Sequence, residues 1–578
     1  MKVLVFDFEV FRKNVLLGAI DLNANKTHQL WGSEAIKAFY GTHRDYIWVG
    51  HNNAHYDNHI LQAVLSGDDP FAVSKSIIEG GARPKLTMRL DYYDTMSRHF
   101  TSLKVLEAYM GKNISETPID FRLDRELTPE ERKMVESYNR DDLDQTLQNL
   151  KFVKKEFQLR LDLIKEFDLP LSVLHMTEAQ IAATVLKAKK VRDIEDMPME
   201  PIEWPNLRVS NKAVMDFYRS KSWAWTNGSA RPSIKQWFCG TEHTIAAGGI
   251  HAGGLRHEPF AYYLDVSGYY NLVMINYGLL SRAIPEEGKA LYEYMYREQL
   301  KLKKKDPVKR AVYKTILLAV FGAQNNQYCD FYDPYCGDLV RLTGELFLVD
   351  LLEKLEGHVD VIQSNTDGIM VKPLEGETEE SVKAIVDEWQ KRTKFTLKFE
   401  KIYDVVQRDV NNYIYKDENG AVHVKGEAVK HWECPESPME CDSYNSKEPL
   451  IIAKCVVEWY VNGEKPEKVV YSNAKNLRLF QFICKKGAYD SLEIDDGTIC
   501  KTLQNVNRVF AGKRSLGILY KRKDGSRVRY ASVPGGVFVH NGAIDAKLEE
   551  KIDYDYYVRR AYERIAEFER KPEQGRLF

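Results

Sequence analysis

The sequence is short of three things. Although 44% of its 578 residues are hydrophobic, no apolar run approaches the roughly 20 residues a membrane-spanning helix needs, which excludes an integral helical membrane protein. Its eight cysteines include no Cys-x-x-Cys pair. The closest couples, Cys329 with Cys336 and Cys434 with Cys441, lack metal-ligand spacing, so free thiols are expected. Net charge is also scarce: 82 Lys and Arg against 84 Asp and Glu leave −2, which excludes an indiscriminately basic nucleic-acid coat. The N-terminus has no signal-peptide architecture, and a cytoplasmic location is expected.

What is present is length enough for three or four globular units, with charge gathered locally. Cationic residues crowd Arg297–Lys314 and again Lys513–Arg529. For either run alone a solvated helix face is the alternative to a polyanion site. The first 150 residues read as α/β, with strands at Val3–Phe8 and Tyr46–Gly50 and a helix at Pro129–Phe152. A helical stretch from Lys154 to Lys190 precedes a Pro- and Trp-containing segment, Pro198–Asn211, read as a linker. The glycine-rich run from Gly248 and Gly249 to Gly254 reads as a turn entering the strand Ala261–Asp265. Helical patterns at Glu286–Lys305 and Pro307–Gly322 meet at Asp306-Pro307 as an antiparallel hairpin. Then come a helix at Gly344–Leu355, strands at Val359–Gln363 and Ile369–Lys372 around the turn Asn365–Gly368, a hairpin at Lys523-Asp524-Gly525-Ser526, and a final helix at Ala546–Arg570.

Two sets of acids carry chemistry. Asp7 and Glu9, two apart on a strand, leave the same face of a sheet. Asp57 follows a strand and loop, and Tyr138 and Asp142 lie one helical turn apart. Four acids from three elements repel one another unless cations lie between them, and two divalent ions about 3.5–4 Å apart are expected, in a site that hydrolyses phosphodiesters. Asp265 ends a strand and Asp367 tips a turn between two strands, so this pair too is read as sharing Mg²⁺ or Mn²⁺. Between them Arg310 and Lys314 project from one helix face, suited to a nucleoside triphosphate. His51, His55 and His59, four apart, offer a competing zinc reading. The asparagines before His55 argue against the continuous helix it requires.

Asp7-Phe8-Glu9, Asn52-x3-Tyr56-Asp57 and Tyr138-x3-Asp142 resemble, in order, the three motifs of the DEDDy proofreading exonucleases. Asp265-Val266-Ser267-Gly268-Tyr269-Tyr270 is similar to motif A of the family B DNA polymerases. Lys314-x6-Phe321-Gly322 looks like motif B and Asn365-Thr366-Asp367 like motif C. The chain departs from the pattern at Gly268, Leu318-Ala319 and Asn365. The resemblance implies a mixed α/β and α+β multidomain protein of phage type. It would comprise an RNase H-like 3′–5′ exonuclease domain with a helical extension over 1–195, a linker over 196–245, a palm in two parts (246–285 and 328–432), a fingers hairpin over 286–327, a thumb and C-terminal domain over 433–570, and a tail over 571–578.

It further implies that Asp7, Glu9, Asp57 and Asp142 hold metal at the editing site, and that Asp265, Val266 and Asp367 hold metal at the synthesis site. Ser267, Gly268, Tyr269, Tyr270, Arg310, Lys314 and Phe321 would meet the dNTP, with Tyr270 as a steric gate. Asn52, Tyr56, Gly248, Gly249, Tyr413, Lys425, Lys513, Arg514, Lys521, Arg522 and Lys523 would contact primer–template DNA. Gln574, Leu577 and Phe578, within Gln574-Gly575-Arg576-Leu577-Phe578, resemble a peptide by which bacterial proteins dock on the sliding clamp, and a disordered tail is the alternative. The expectation is a monomeric DNA polymerase with proofreading that replicates a phage genome in an infected bacterium. A nuclease with a vestigial polymerase half and a protein-primed enzyme remain as alternatives.

Overall fold

The computed structural model describes residues 1–96, 100–116, 119–197, 202–220, 232–246, 248–433, 445–512 and 516–569. They divide into two compact units: Met1–Thr177 with His431–Lys454 and Glu467–Arg559, and Glu178–Lys430 with Cys455–Pro466 and the residues from Arg560 on. Among the described residues no helix is long and apolar enough to cross a membrane.

The first unit opens with β1 (Val3–Val10), β2 (Val15–Asp21), β3 (Lys26–Trp31), β4 (Ile47–Gly50) and β5 (Tyr92–Asp94), in sheet order β3-β2-β1-β4-β5. β1 pairs antiparallel with β2 and parallel with β4, so it lies inside the sheet and both its faces are covered. Leu4, Phe6 and Phe8 pack with Trp48 and Ile60 on one side. Val5 packs with Tyr93, Leu106 and Leu143 on the other. Asp7 and Glu9 share the Val5 face by the two-residue period of a strand, and that face meets the helix Pro129–Phe152. This helix has the expected bounds because its start is written locally: Thr128 caps it, Pro129 stands at its first position, and Glu131 completes a capping box. The stretch expected to be helical from Lys154 to Lys190 is broken at Asp168–Pro170 into Lys154–Phe167, a short 3-10 turn Leu171–His175, and Glu178–Val185.

The second unit is built on nine strands: β6 (Ser233–Phe238), β7 (Thr241–Ala246), β8 (Gly249–Gly253), β9 (Arg256–Val266), β10 (Val359–Asn365), β11 (Gly368–Pro373), β12 (Leu397–Asp409), β13 (Asn412–Asp417) and β14 (Val422–Lys425). Their order is β14-β13-β12-β9-β11-β10-β8-β7-β6. The glycine run is therefore a strand in this sheet and not a turn. Nor is 196–245 a simple linker, since it contributes β6, β7 and the helix Lys212–Arg219. Its irregular part is tied to the helix Pro334–Leu355: Asp350 accepts from Arg208 N, and Glu353 accepts from the backbone N of Ser210 and Asn211. That helix starts ten residues before the expected Gly344 because Asp333 caps it and Pro334 follows. The antiparallel hairpin forms as Glu286–Lys301 and Pro307–Ala323, capped by Asp306.

Late strands return to the first unit: β15 (Gln481–Lys485), β16 (Ser491–Asp495), β17 (Cys500–Leu503), β18 (Val506–Ala511), β19 (Ile518–Lys523), β20 (Ser526–Arg529) and β21 (Val537–Val539). They form a three-stranded sheet, β15-β18-β21, and a four-stranded one, β17-β16-β19-β20. The Lys523–Ser526 hairpin forms with Asp524 and Gly525 both at positive φ, as a two-residue turn requires. The final helix is shorter than expected. Ala546–Lys551 is a 3-10 segment, and the α-helix runs only over Tyr554–Glu567.

Candidate active sites

At the end of β1 the neighbouring strand β4 has already stopped at Gly50, which frees the Phe8 N–H to donate to Asp57 Oδ1 at 3.1 Å. Asp57 begins the helix Asp57–Ser66, and the loop before it is shaped by Asp94, whose carboxylate accepts from Asn52 N, Ala54 N and Met96 N. Asn52 takes a left-handed φ of 65°, and the Tyr56 hydroxyl pairs with Ser74 Oγ at 2.7 Å. From the facing helix, Asp142 reaches the acids of β1. Asp7, Glu9 and Asp142 each bring one carboxylate oxygen within 4.8 Å of the others. Asp57 stands outside that trio, since its hydrogen bond holds it to the β1 backbone.

Burial first, and then Asp57, Glu9 and Asp142, push the Asp7 carboxyl well above its ordinary range. Burial and Asp142 do the same to Glu9, and burial pushes Asp57 up to about 7. Carboxyls forced together in this way fit divalent cations, whose charge would remove the repulsion. Three neighbours escaped the sequence reading. Lys104, on the helix Leu103–Tyr109, lies 3.0 Å from Asp142 and 3.1 Å from Glu107, with its ammonium 4.6 Å from the Tyr138 ring centroid. Glu107 itself is pushed up to about 7 by burial. Asn139 donates to Asp7 Oδ2 at 2.9 Å. Only Asn139 carried a signal, standing three residues before Asp142 on one helical face. The histidines do not gather as zinc ligands: His51 bonds Thr95 and the Thr101 carbonyl, His55 lies beside Arg83, and His59 is buried.

In the second unit the two expected acids meet through sheet register. Asp265 on β9 is the partner of Gly368 on β11, and Val266 N donates to the Asp367 carbonyl at 2.9 Å. Burial and then Asp265 raise the Asp367 carboxyl, while Lys425 opposes the rise. Lys398, on the neighbouring β12, lies 3.4 Å from Asp265 and was not foreseen. The Asp265–Asp367 pair fits a shared cation on the same electrostatic ground. Tyr270 stacks on Phe321 with centroids 4.0 Å apart and planes 7° apart. Its hydroxyl points to the Thr366 carbonyl at 3.4 Å. Because Arg310, Lys314 and Phe321 share a helix face, the stack turns the cationic side toward Tyr270. Lys314 is exposed, and Arg310 Nε is buried without a hydrogen-bond partner among the described residues, as an anion-binding group would be.

Gly268 has a local cause. It sits at φ 60°, and a Cβ there would meet the Tyr296 hydroxyl at 3.1 Å. Ser267 N donates to the Thr396 carbonyl. Tyr269 is not placed to meet a nucleotide: its side chain is buried against Phe395 and hydrogen-bonds the Gly344 carbonyl. The backbone N of Gly248 is taken by Glu345, which is 1% exposed, also accepts from the Tyr218 hydroxyl, and is pushed up to about 7 by burial. Gly249 packs so closely that a Cβ would lie 2.8 Å from Thr366, beside Asp367. Tyr413 pairs across the sheet with Lys425, whose ammonium lies 5.8 Å from its ring centroid.

Two cations of the second basic run have acidic partners and a third lies over aromatic rings. Arg522 pairs with Glu493, Arg527 with Glu493 and Asp495, and Lys521 lies between the rings of Tyr489 and Tyr530. Lys523 stays exposed. Lys513, Arg514 and the tail residues Gln574, Leu577 and Phe578 lie outside the described residues, as do Cys434 and Cys441. None of the described cysteines forms a disulfide.

No protein-family model and no curated protein matches the chain. Among solved structures it is similar to a family B DNA polymerase from the hyperthermophilic archaeon Pyrobaculum calidifontis, at 13% identity, over 98% of this chain and 78% of that one, with a TM-score of 0.43. A likeness this distant carries no argument about activity.

Proposed function

We propose that the chain is a family B DNA polymerase of phage type, extending a primer on a DNA template and editing it with a 3′–5′ exonuclease of the DEDDy class. One observation carries this reading: two separate acidic sites, Asp7/Glu9/Asp142 in the first unit and Asp265/Asp367 in the second, the latter joined through Tyr270 and Phe321 to a cationic helix face. Divalent ions held by these carboxylates would supply a metal-activated water at the first site and charge neutralisation for phosphoryl transfer at the second.

The chain's own residues have definable tasks. At the editing site Tyr138, held under Lys104, orients the attacking water, while Asn139 fixes Asp7. At the synthesis site Lys314 and Arg310 bind triphosphate oxygens, and Tyr270, immobilised by Phe321, bars a ribose 2′-hydroxyl. Val266 contributes backbone only, and Lys425, with Tyr413, faces the primer strand. Gln574, Leu577 and Phe578 tether the enzyme to a host sliding clamp, so deleting them abolishes stimulation by that clamp.

The test is a 5′-labelled primer on a longer template, with Mg²⁺, with and without dNTPs. Asp265→Ala abolishes extension and spares shortening. Asp7→Ala abolishes shortening and spares extension. Each loss is roughly a thousandfold or more. Shortening with no extension under any condition would replace this reading with a nuclease whose polymerase half is vestigial.

A further inference from the structure

Lys104 is the cation that meets Asp142, and the helix that carries it, Leu103–Tyr109, is only seven residues long. Two turns do not hold together on their own in water, and the last carbonyls of a helix need partners from elsewhere. Here those partners come from residues almost four hundred positions later. Arg508, on β18, is fully buried. Its guanidinium donates to Ala108 O at 3.0 Å and Lys112 O at 2.7 Å, to Gly542 O at 2.6 Å and His540 O at 3.4 Å, and to Gln481 Oε1 at 2.9 Å. Gln481 in turn donates to Tyr109 O at 3.1 Å, and Arg478 to the same carbonyl at 3.2 Å. Ile544 N bonds Gly111 O at 2.9 Å, and Gln504 bonds Ile114 O at 2.6 Å.

Among the described residues no carboxylate is hydrogen-bonded to Arg508. Burial lowers its guanidinium to about 10, a cost set against five donors that all find acceptors. The first carbonyl so held, that of Ala108, lies four residues, about one helical turn, after Lys104, whose ammonium meets Asp142 and Glu107.

We infer that Arg508 is a positioning residue of the editing site: the late strands, through Arg508 and Gln481, cap the Leu103–Tyr109 helix and thereby hold Lys104 against Asp142. The inference rests on the editing role proposed for Asp7, Glu9 and Asp142, and it assigns to the 478–544 segment a part in editing besides any contact with duplex.

The experiment is a double-mutant cycle on the full chain. Arg508→Gln and Gln481→Met are each combined with Lys104→Ala, and single-turnover excision is followed on single-stranded DNA. Each single variant lowers kcat, Arg508→Gln by about 10- to 100-fold and Gln481→Met by less, with KM little changed, while primer extension is retained. In the Lys104→Ala background neither adds a further loss. Arg508→Lys restores part of the rate.

Hydrogen exchange of the 103–114 amides gives a readout independent of activity. It accelerates in both variants, including the milder Gln481→Met, while Pro129–Phe152 stays protected. Additive losses in the cycle, or unchanged exchange at 103–114, would overturn the inference. Accelerated exchange in a protein whose wild type excises nothing would instead sink the editing reading and leave the capping role standing.

Discussion

In the first unit five carboxylates, those of Asp7, Glu9, Asp57, Glu107 and Asp142, gather around one ammonium; in the second, two carboxylates stand at strand ends within reach of lysines open to water. Lys104 and Asp142 are 19% and 11% exposed, against 56% and 26% for Lys398 and Asp265. The pair at 3.0 Å is shielded and the one at 3.4 Å is wet. Electrostatic terms grow as water is excluded. The interactions among the acids of the first unit are therefore less screened by solvent than the Lys398–Asp265 pair of the second.

The largest expected effect separates the two lysines. Lys104→Ala slows excision by about 10- to 100-fold, whereas Lys398→Ala slows extension by roughly threefold or less, the scale of a solvent-exposed ion pair. Pre-steady-state rates on one primer–template measure both. Equal losses would erase the contrast.

A smaller effect concerns stability in EDTA. Asp57 is pushed up to about 7 in the folded protein. The folded state therefore holds a proton that the unfolded state releases near pH 4, and metal-free stability falls as pH rises from about 4 to about 7, then levels off. Asp7, raised in the same sense by burial and by its acidic neighbours, adds to the slope. Asp7→Asn removes that part and raises the unfolding midpoint by roughly 2–6 °C at pH 8 in EDTA. The gain disappears in Mg²⁺. Asp265→Asn leaves the midpoint within about 1 °C. Calorimetry with and without metal checks all four conditions, and a wild type more stable at pH 8 than at pH 5 in EDTA would reverse the sign.

The smallest effect tests the synthesis site's own rigidity. Phe321→Ala removes the ring on which Tyr270 stacks, an interaction worth about 0.5–1.5 kcal/mol. The expected result is a two- to tenfold loss of discrimination against ribonucleotides, read by competing dNTP and rNTP incorporation, with excision unchanged.

What the sequence disclosed follows from the range of the forces involved. The helix Pro129–Phe152 was legible at both ends because Thr128, Pro129 and Glu131 write its start within four residues. Asp7 with Glu9, and Tyr138 with Asp142, were legible because strand and helix periods alone put each pair on one face. Asp265 and Asp367 were legible as strand-end acids, though their meeting depends on β9 pairing with β11.

Lys104, Glu107 and Lys398 were invisible, since nothing in their neighbourhood distinguishes them from surface charge. Pro198–Asn211 read as a linker because irregular backbone looks alike whether free or tied down, and the ties on its described part come from Asp350 and Glu353 far along the chain. Tyr269 was taken for a nucleotide contact because its motif names a position and not a direction; the helix beginning there turns its ring into the core.

The discontinuity of the first unit has a consequence in time. Ribosomes lengthen a chain at about 5–20 residues per second. The segment that holds the Leu103–Tyr109 helix therefore leaves the ribosome roughly 20 to 80 seconds after the helix itself. Until Gln481, Arg508 and Ile544 arrive, Asp7, Glu9 and Asp142 exist without the helix that carries Lys104. The acidic site of the first unit would thus stay unfinished while Glu178–Lys430 of the second unit is being made.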